Sequence, residues 1–126
     1  MSEVVLVTGG AGFIGSHLVR RLVNMGFQVK VLDSLSTGSE KSLAEDAELY
    51  RGDIRDAELV GRLIRQCKWV FHLAAFSNLP ESFSKRNECL QINVEGTRNI
   101  LEASLLHNVE KIVFSSTSAL YPGQPN

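Results

Sequence analysis

The sequence predicts a doubly wound α/β domain, a parallel sheet of about five strands with helices on both faces. Three observations carry this expectation. Short apolar runs recur five times along the 126 residues, helix-period patterns fall between several of them, and a glycine-rich turn joins the first run to the first helix. Strand and helix in alternation imply crossover connections, and a parallel sheet buries such runs on both faces.

The elements follow in order. "VVLVT" (4–8) is the β-branched run of a strand buried on both sides. From Phe13 the period becomes helical, with Ile14, Leu18, Leu22 and Met25 on one stripe and Arg20, Arg21 and Asn24 largely off it. Gly26 ends that helix. "FQVKVLD" (27–33) alternates apolar and polar residues up to Asp33, and "SLSTGSEKS" reads as a loop. "AELYRGD" (47–53) is a third short strand. Asp56 caps a helix striped by Leu59, Leu63, Ile64 and Cys67, and "WVFHLAA" (69–75) is a fourth strand. Helical patterning returns between Cys89 and Leu106, then "KIVFSST" (111–117) is a fifth strand and "YPGQPN" a turn. Neither internal repeats nor low-complexity tracts interrupt this order.

One domain of this length buries roughly two-thirds of the surface its unfolded chain exposes. A composition of 44% apolar and 21% charged residues, with a net charge of −1, argues against disorder and against an electrostatic grip on nucleic acid. No apolar run approaches the roughly 18 residues of a membrane span, and no signal-peptide pattern is present, so a soluble cytoplasmic protein without membrane partners is expected. Cys67 and Cys89 fit no metal-ligand spacing. Buried reduced thiols are expected, with a disulfide as the alternative, and no metal site.

The chemistry centres on the glycine-rich turn. Gly10-Ala11-Gly12-Phe13-Ile14-Gly15 matches G-x-G-x-x-G, and Gly9, Gly12 and Gly15 fit the wider G-x-x-G-x-x-G spacing. The match follows a strand, opens a helix, and has Asp33 closing the next strand about 20 residues on, the context of a dinucleotide-binding fingerprint. The first glycine permits the tight turn, Gly12 lets a pyrophosphate approach the backbone, and Gly15 lets the helix pack on its strand. Free N–H groups and positive potential at the helix start favour the phosphates. A glycine turn used only for packing is the alternative. A carboxylate at Asp33 accepts from a ribose 2′-hydroxyl and repels a 2′-phosphate. The next basic residue is Lys41, so NAD is expected over NADP unless Asp33 merely caps the loop.

Six motifs in order, "TGGAGFIGSHL", "VLDSLSTG", "GDIRD", "HLAA", "NVEGT" and "FSSTSALY", resemble the N-terminal half of the extended short-chain dehydrogenases/reductases, the NAD-dependent sugar epimerase/dehydratase family. The resemblance covers essentially the whole chain. It implies a Rossmann-type domain, NAD as cofactor, and a nucleotide-sugar substrate whose hydroxyl is oxidised by hydride transfer to NAD. It further implies that Phe13, Ile14 and Ser34 join the glycines and Asp33 around the cofactor, and that Asp53 accepts from the adenine amino group beside Ile54. Leu73, Ala74 and Ala75 are placed against the cofactor, with Asn93 near the nicotinamide end. Ser115 and Ser116 become cofactor-side neighbours and Thr117 the catalytic hydroxyl that orients the substrate. Plain alternatives stand beside these: a helix-capping Asp53, a solvated helix face at Asn93, and a strand-end hydroxyl cluster at 115–117. His72, inside an apolar strand with no acid partner, reads as a core histidine.

Departures from the pattern matter. Ser77 stands where some sugar epimerases carry a lysine, and Pro122 follows Tyr121 where the family has glycine. The family's base is a tyrosine whose pKa is lowered by a lysine four residues later. No Tyr-x-x-x-Lys exists here, since the residues four beyond Tyr50 and Tyr121 are Ile54 and Pro125. Residues 1–126 therefore read as the NAD-binding domain of a longer enzyme, C-terminally incomplete, lacking the catalytic pair and the substrate domain, inactive alone and a homodimer when full length. "KIVFS" is expected to be an unprotected apolar edge beside the 89–106 helix face. A self-contained NAD-binding sensor or interaction module, a ligand-free structural remnant, and part of a 3β-hydroxysteroid-type dehydrogenase are the other readings.

Overall fold

The computed structural model describes residues 2–117 and 122–123. Five strands, β1 (Val4–Thr8), β2 (Gln28–Asp33), β3 (Glu48–Arg51), β4 (Trp69–His72) and β5 (Lys111–Phe114), form one sheet in the order β3-β2-β1-β4-β5. Every neighbouring pair is parallel, with Val7 beside Val31 on one side and Phe71 on the other. The chain thus runs outward from β1 to β3, returns to β4 beside β1, and proceeds to β5. The switch between β1 and β4 is where ligands bind in open α/β sheets, beyond the carboxyl ends of the strands.

The helices are α1 (Phe13–Asn24), α2 (Ala57–Ile64), α3 (Leu79–Ser84), α4 (Arg86–Leu90) and α5 (Thr97–Leu106), with a 3₁₀ turn at Glu40–Ser42 and a π-helical stretch at Gln91–Gly96 linking α4 to α5. Alternation along the strands makes two cores. Leu6, Leu32 and Val70 pack with Val60, Leu63 and Ile64 of α2 and Ile100 of α5. Val5, Val7, Val29 and Val31 pack on the other face with Val19 and Leu22 of α1. Burial on both faces is why β1 reads as an unbroken apolar run.

Several expectations shift. In α1 the core face is Gly15, Ser16, Val19 and Leu22, whereas Ile14 and Met25 are exposed. Close contact of the helix start with the glycine turn at Gly15 rotates the buried stripe away from Ile14. The strand expected over 69–75 ends at His72, because Leu73 and Ala74 turn their N–H groups onto the side chain of Thr8. Asp56 caps α2 as expected, its Oδ1 accepting from Leu59 N at 3.1 Å. Helix α3 was not evident from periodicity. Its signal is the capping spacing Asn78-x-x-Glu81, and Asn78 Oδ1 accepts from Glu81 N at 3.1 Å. Cys67 and Cys89 are free thiols, Cys67 buried and Cys89 half-buried, so burial holds fully only for Cys67. Burial pushes the Cys67 thiol up to about 11. Strand β5 forms one sheet edge, with Val113 and Phe114 exposed, and Leu105 and Leu106 at the end of α5 are exposed as well. Among the described residues no helix is long and apolar enough to cross a membrane, and no cluster of His, Cys, Asp and Glu suits a metal ion.

Candidate functional site: a cavity over the β1–β4 switch

A cavity of about 670 Å³ opens beyond the carboxyl ends of the strands, in the size range of small-molecule sites. Gly9, Gly12, Phe13, Ile14, Gly15, Asp33, Ser34, Asp53, Ile54, Leu73, Ala74, Ala75 and Ser115 line it, each anticipated from the sequence. The glycine turn forms its floor. Gly9 holds φ +71, donates to Leu32 O at 2.8 Å, and leaves no room for a Cβ, which would lie 2.8 Å from Ala74 N. A Cβ on Gly15 would strike Gly9 O. A Cβ on Gly10 would lie 2.7 Å from Val31 Cγ1, so the packing of the turn itself requires glycine at 9, 10 and 15.

Gly12 differs from all three. Its φ of −77° suits any residue, and a Cβ there would meet only Gly9 O, at 3.4 Å. The protein's own packing leaves space at Gly12, which lies on the cavity wall. Gly12 also opens α1 with no side-chain cap and no acidic residue in the first turn, so no group of the helix itself offsets its positive end.

Asp33 is buried, and both carboxylate oxygens are engaged. Oδ2 accepts from Ala11 N at 2.9 Å and Oδ1 from Leu35 N at 2.8 Å. Its alternative role as a loop cap is thus realised, while its place on the cavity wall is retained. At the far end, Asp53 is gripped by the Arg55 guanidinium: Nη2 donates to Oδ2 at 2.6 Å, and Nε lies 3.0 Å from both oxygens. The hydrogen bonds from Arg55 hold its carboxyl below the usual carboxylate range, against the opposing effect of burial. Ile54 is buried beside it, and a Cβ on Gly96 would lie 2.5 Å from its Cδ1, so that glycine brings the helix close to the Ile54 side chain.

Asn93 does not line the cavity. It clamps one of the residues that do: its Oδ1 accepts from Phe76 N at 2.7 Å and its Nδ2 donates to Phe76 O at 3.1 Å. The π-helical stretch carries this side chain, which explains a mid-helix asparagine better than a solvated face does. Ser115 donates its N–H to His72 O at 3.2 Å and reaches the wall, whereas Ser116 and Thr117 are exposed and lie off it. Tyr121 lies outside the described residues. Tyr50 donates to Glu48 Oε2 at 2.8 Å, and this hydrogen bond raises its pKa, the opposite of what a phenolate base needs.

His72 is a core histidine, as expected, 1% exposed. Its partners are two hydroxyls, Thr8 at 2.6 Å and Thr97 at 2.8 Å, and burial pushes it down to about 4. Cavity residues that the sequence reading missed include Thr37, Phe76, Lys85 and Glu88. Most lie in 76–92, where short helices leave too few turns for a periodic signal.

The comparisons with known proteins agree with this geometry. The family described as "NAD dependent epimerase/dehydratase family" matches residues 5–126. A UDP-glucose 4-epimerase of Lactobacillus helveticus is 47% identical over 119 residues, covering 93% of this chain and 36% of that protein. The crystal structure of a Thermus thermophilus UDP-glucose 4-epimerase in complex with NAD superposes with a TM-score of 0.84 at 42% identity, covering 90% of this chain and 37% of that one. That of a Thermotoga maritima UDP-glucose 4-epimerase with UDP-glucose gives 0.88 at 40% identity, covering 90% and 38%. A match over almost the whole sequence, on a parallel sheet with its glycine turn at the switch point, establishes that the chain belongs to the NAD-dependent epimerase/dehydratase family and spans well under half the length of these relatives.

Proposed function

We propose that the cavity holds NAD(H) and that the chain is the cofactor-binding part of an oxidoreductase acting on a nucleotide sugar. The observation that carries this reading is the space at Gly12, kept open at the uncapped start of α1 where the protein's own packing tolerates a side chain. In this reading Gly9, Gly12, Phe13, Ile14 and Gly15 receive the pyrophosphate, Asp33 and Ser34 the adenosine ribose, and Asp53 with Ile54 the adenine. Leu73, Ala74, Ala75 and Ser115 border the nicotinamide end, with Asn93 acting through Phe76 and Ser116 flanking. When bound, NAD supplies the hydride acceptor for oxidation of a sugar hydroxyl.

Thr117 has the hydroxyl to orient such a substrate, but the sequence contains no Tyr-x-x-x-Lys to take its proton. Losing a positioned base costs about 10²–10⁴-fold, so the 126-residue chain alone turns over no sugar nucleotide. Cytoplasmic residence and homodimerisation of the longer enzyme belong to the same reading, which rests there on the family resemblance.

Titration calorimetry with NAD and NADP tests it. NAD binds more tightly, and Gly12→Val abolishes binding by filling the space at Gly12. Absence of NAD binding rejects the reading, and equal or tighter NADP binding removes the argument from Asp33. Product chromatography after incubation with NAD and UDP-sugars tests the second half, where turnover by this chain would overturn its assignment as inactive.

A further inference from the structure

We propose that His72 is a positioning residue, locked as the neutral Nε2–H tautomer, which acts through Thr8 to fix the Leu73–Ala74 backbone that walls the cavity. Hydrogen-bond accounting at Thr8 carries this. Its Oγ1 lies 3.1 Å from both Leu73 N and Ala74 N, the former shared with Thr8 O, and 2.6 Å from His72 Nδ1. A hydroxyl has one hydrogen and two lone pairs, and backbone N–H groups only donate. The two amides occupy the acceptor side of Oγ1, so its hydrogen goes to Nδ1, which must be unprotonated. The ring proton then resides on Nε2, where it donates to Thr97 Oγ1 at 2.8 Å. Were Nδ1 protonated, three donors would converge on one oxygen whose own hydrogen had no acceptor.

The network links three elements through their end residues: the last of β1, the last of β4, and the first of α5. Phe114 of β5 stacks on the imidazole at 5.5 Å. A Cβ on Gly9 would lie only 2.8 Å from Ala74 N, so the turn that Thr8 holds is packed directly against the glycine turn. The link to cofactor binding rests on the reading of the cavity as an NAD site; the tautomer does not.

Long-range ¹H–¹⁵N NMR of the histidines in the full chain tests the assignment, with the His72 signals identified by their loss in His72→Gln. The expected pattern is a protonated Nε2 and an unprotonated Nδ1, and Nδ1–H overturns the proposal. In Thr8→Val, Leu73 and Ala74 amides exchange faster by on the order of tenfold and NAD binding weakens by a similar factor. Thr8→Ser restores both. Unchanged exchange at both amides in a folded Thr8→Val, or failure of serine to rescue, also overturns it. Should the wild-type chain bind no NAD, the cofactor reading fails, while tautomer and amide exchange still decide the role of His72.

Discussion

The carboxylate of Asp33 holds the backbone of Ala11 across the cavity floor, Oδ2 accepting from Ala11 N at 2.9 Å. Its other oxygen accepts from Leu35 N and pins that residue at φ 62°, in the left-handed region. The side chain proposed to select a ribose therefore also shapes the glycine turn.

Replacing this carboxylate separates the two roles. Asp33→Asn keeps one acceptor and turns an NH₂ group toward one of the two N–H donors. A loss of about 1–3 kcal/mol in stability is expected by chemical denaturation, from the unsatisfied buried donor. Calorimetry on the same variant should find NAD weakened and the NAD/NADP preference narrowed. Weakened NAD with undiminished stability would mean that the carboxylate serves the ligand alone.

Two glycines should answer differently to the same substitution. Gly12→Ala meets only ordinary contact and leaves stability within about 0.5 kcal/mol, yet intrudes on the cavity and weakens NAD. Gly15→Ala drives a methyl into Gly9 O and lies 2.8 Å from Gly10 Cα, for a cost of about 1–3 kcal/mol. Thermal unfolding and NAD titration of the pair measure both. An equal loss of stability in the two variants contradicts the assignment of Gly12 to the ligand.

The clamp on Phe76 is tested by Asn93→Asp. The acceptor for Phe76 N survives, but an oxygen replaces the donor that faces Phe76 O. About 1–3 kcal/mol of destabilisation follows from that mismatch, with faster amide exchange concentrated at 76–78. Exchange that stays slow there would show that the loop does not depend on the clamp.

Acid sensitivity follows from His72. Its folded value near 4 lies below the ordinary value of 6.5, so the neutral form is favoured by folding. The contribution is fully present above about 6.5 and is lost as pH falls from there toward about 4, where the folded form also protonates. The gap corresponds to on the order of 3 kcal/mol. Asp53, held below the usual carboxylate range, loses its contribution only at still lower pH. Denaturation curves between pH 7 and 4 should show the decline, and His72→Gln should flatten it. A wild-type profile that is flat across this interval contradicts a buried neutral imidazole.

Much of this protein is legible in the order of its residues. The apolar run at 4–8 must be buried on both faces, the alternation over 27–33 marks a strand, the glycine spacing demands close backbone approach, and Asp33 ends a strand beside that turn; local chemistry determines each of these. The sheet order β3-β2-β1-β4-β5, and with it the cavity over the β1–β4 switch, is consistent with the alternation of strands and helices. What the sequence does not contain is the pairing of side chains far apart in it. Thr8 with His72 and Thr97, Asn93 with Phe76, and Asp33 with Ala11 come together only when the strands align and the helices dock. Their partners are backbone groups and hydroxyls, which carry no pattern along the chain. The same cause misplaced the α1 stripe, because which face of a helix is buried depends on the loop it meets, and at Gly15 that loop is the glycine turn itself.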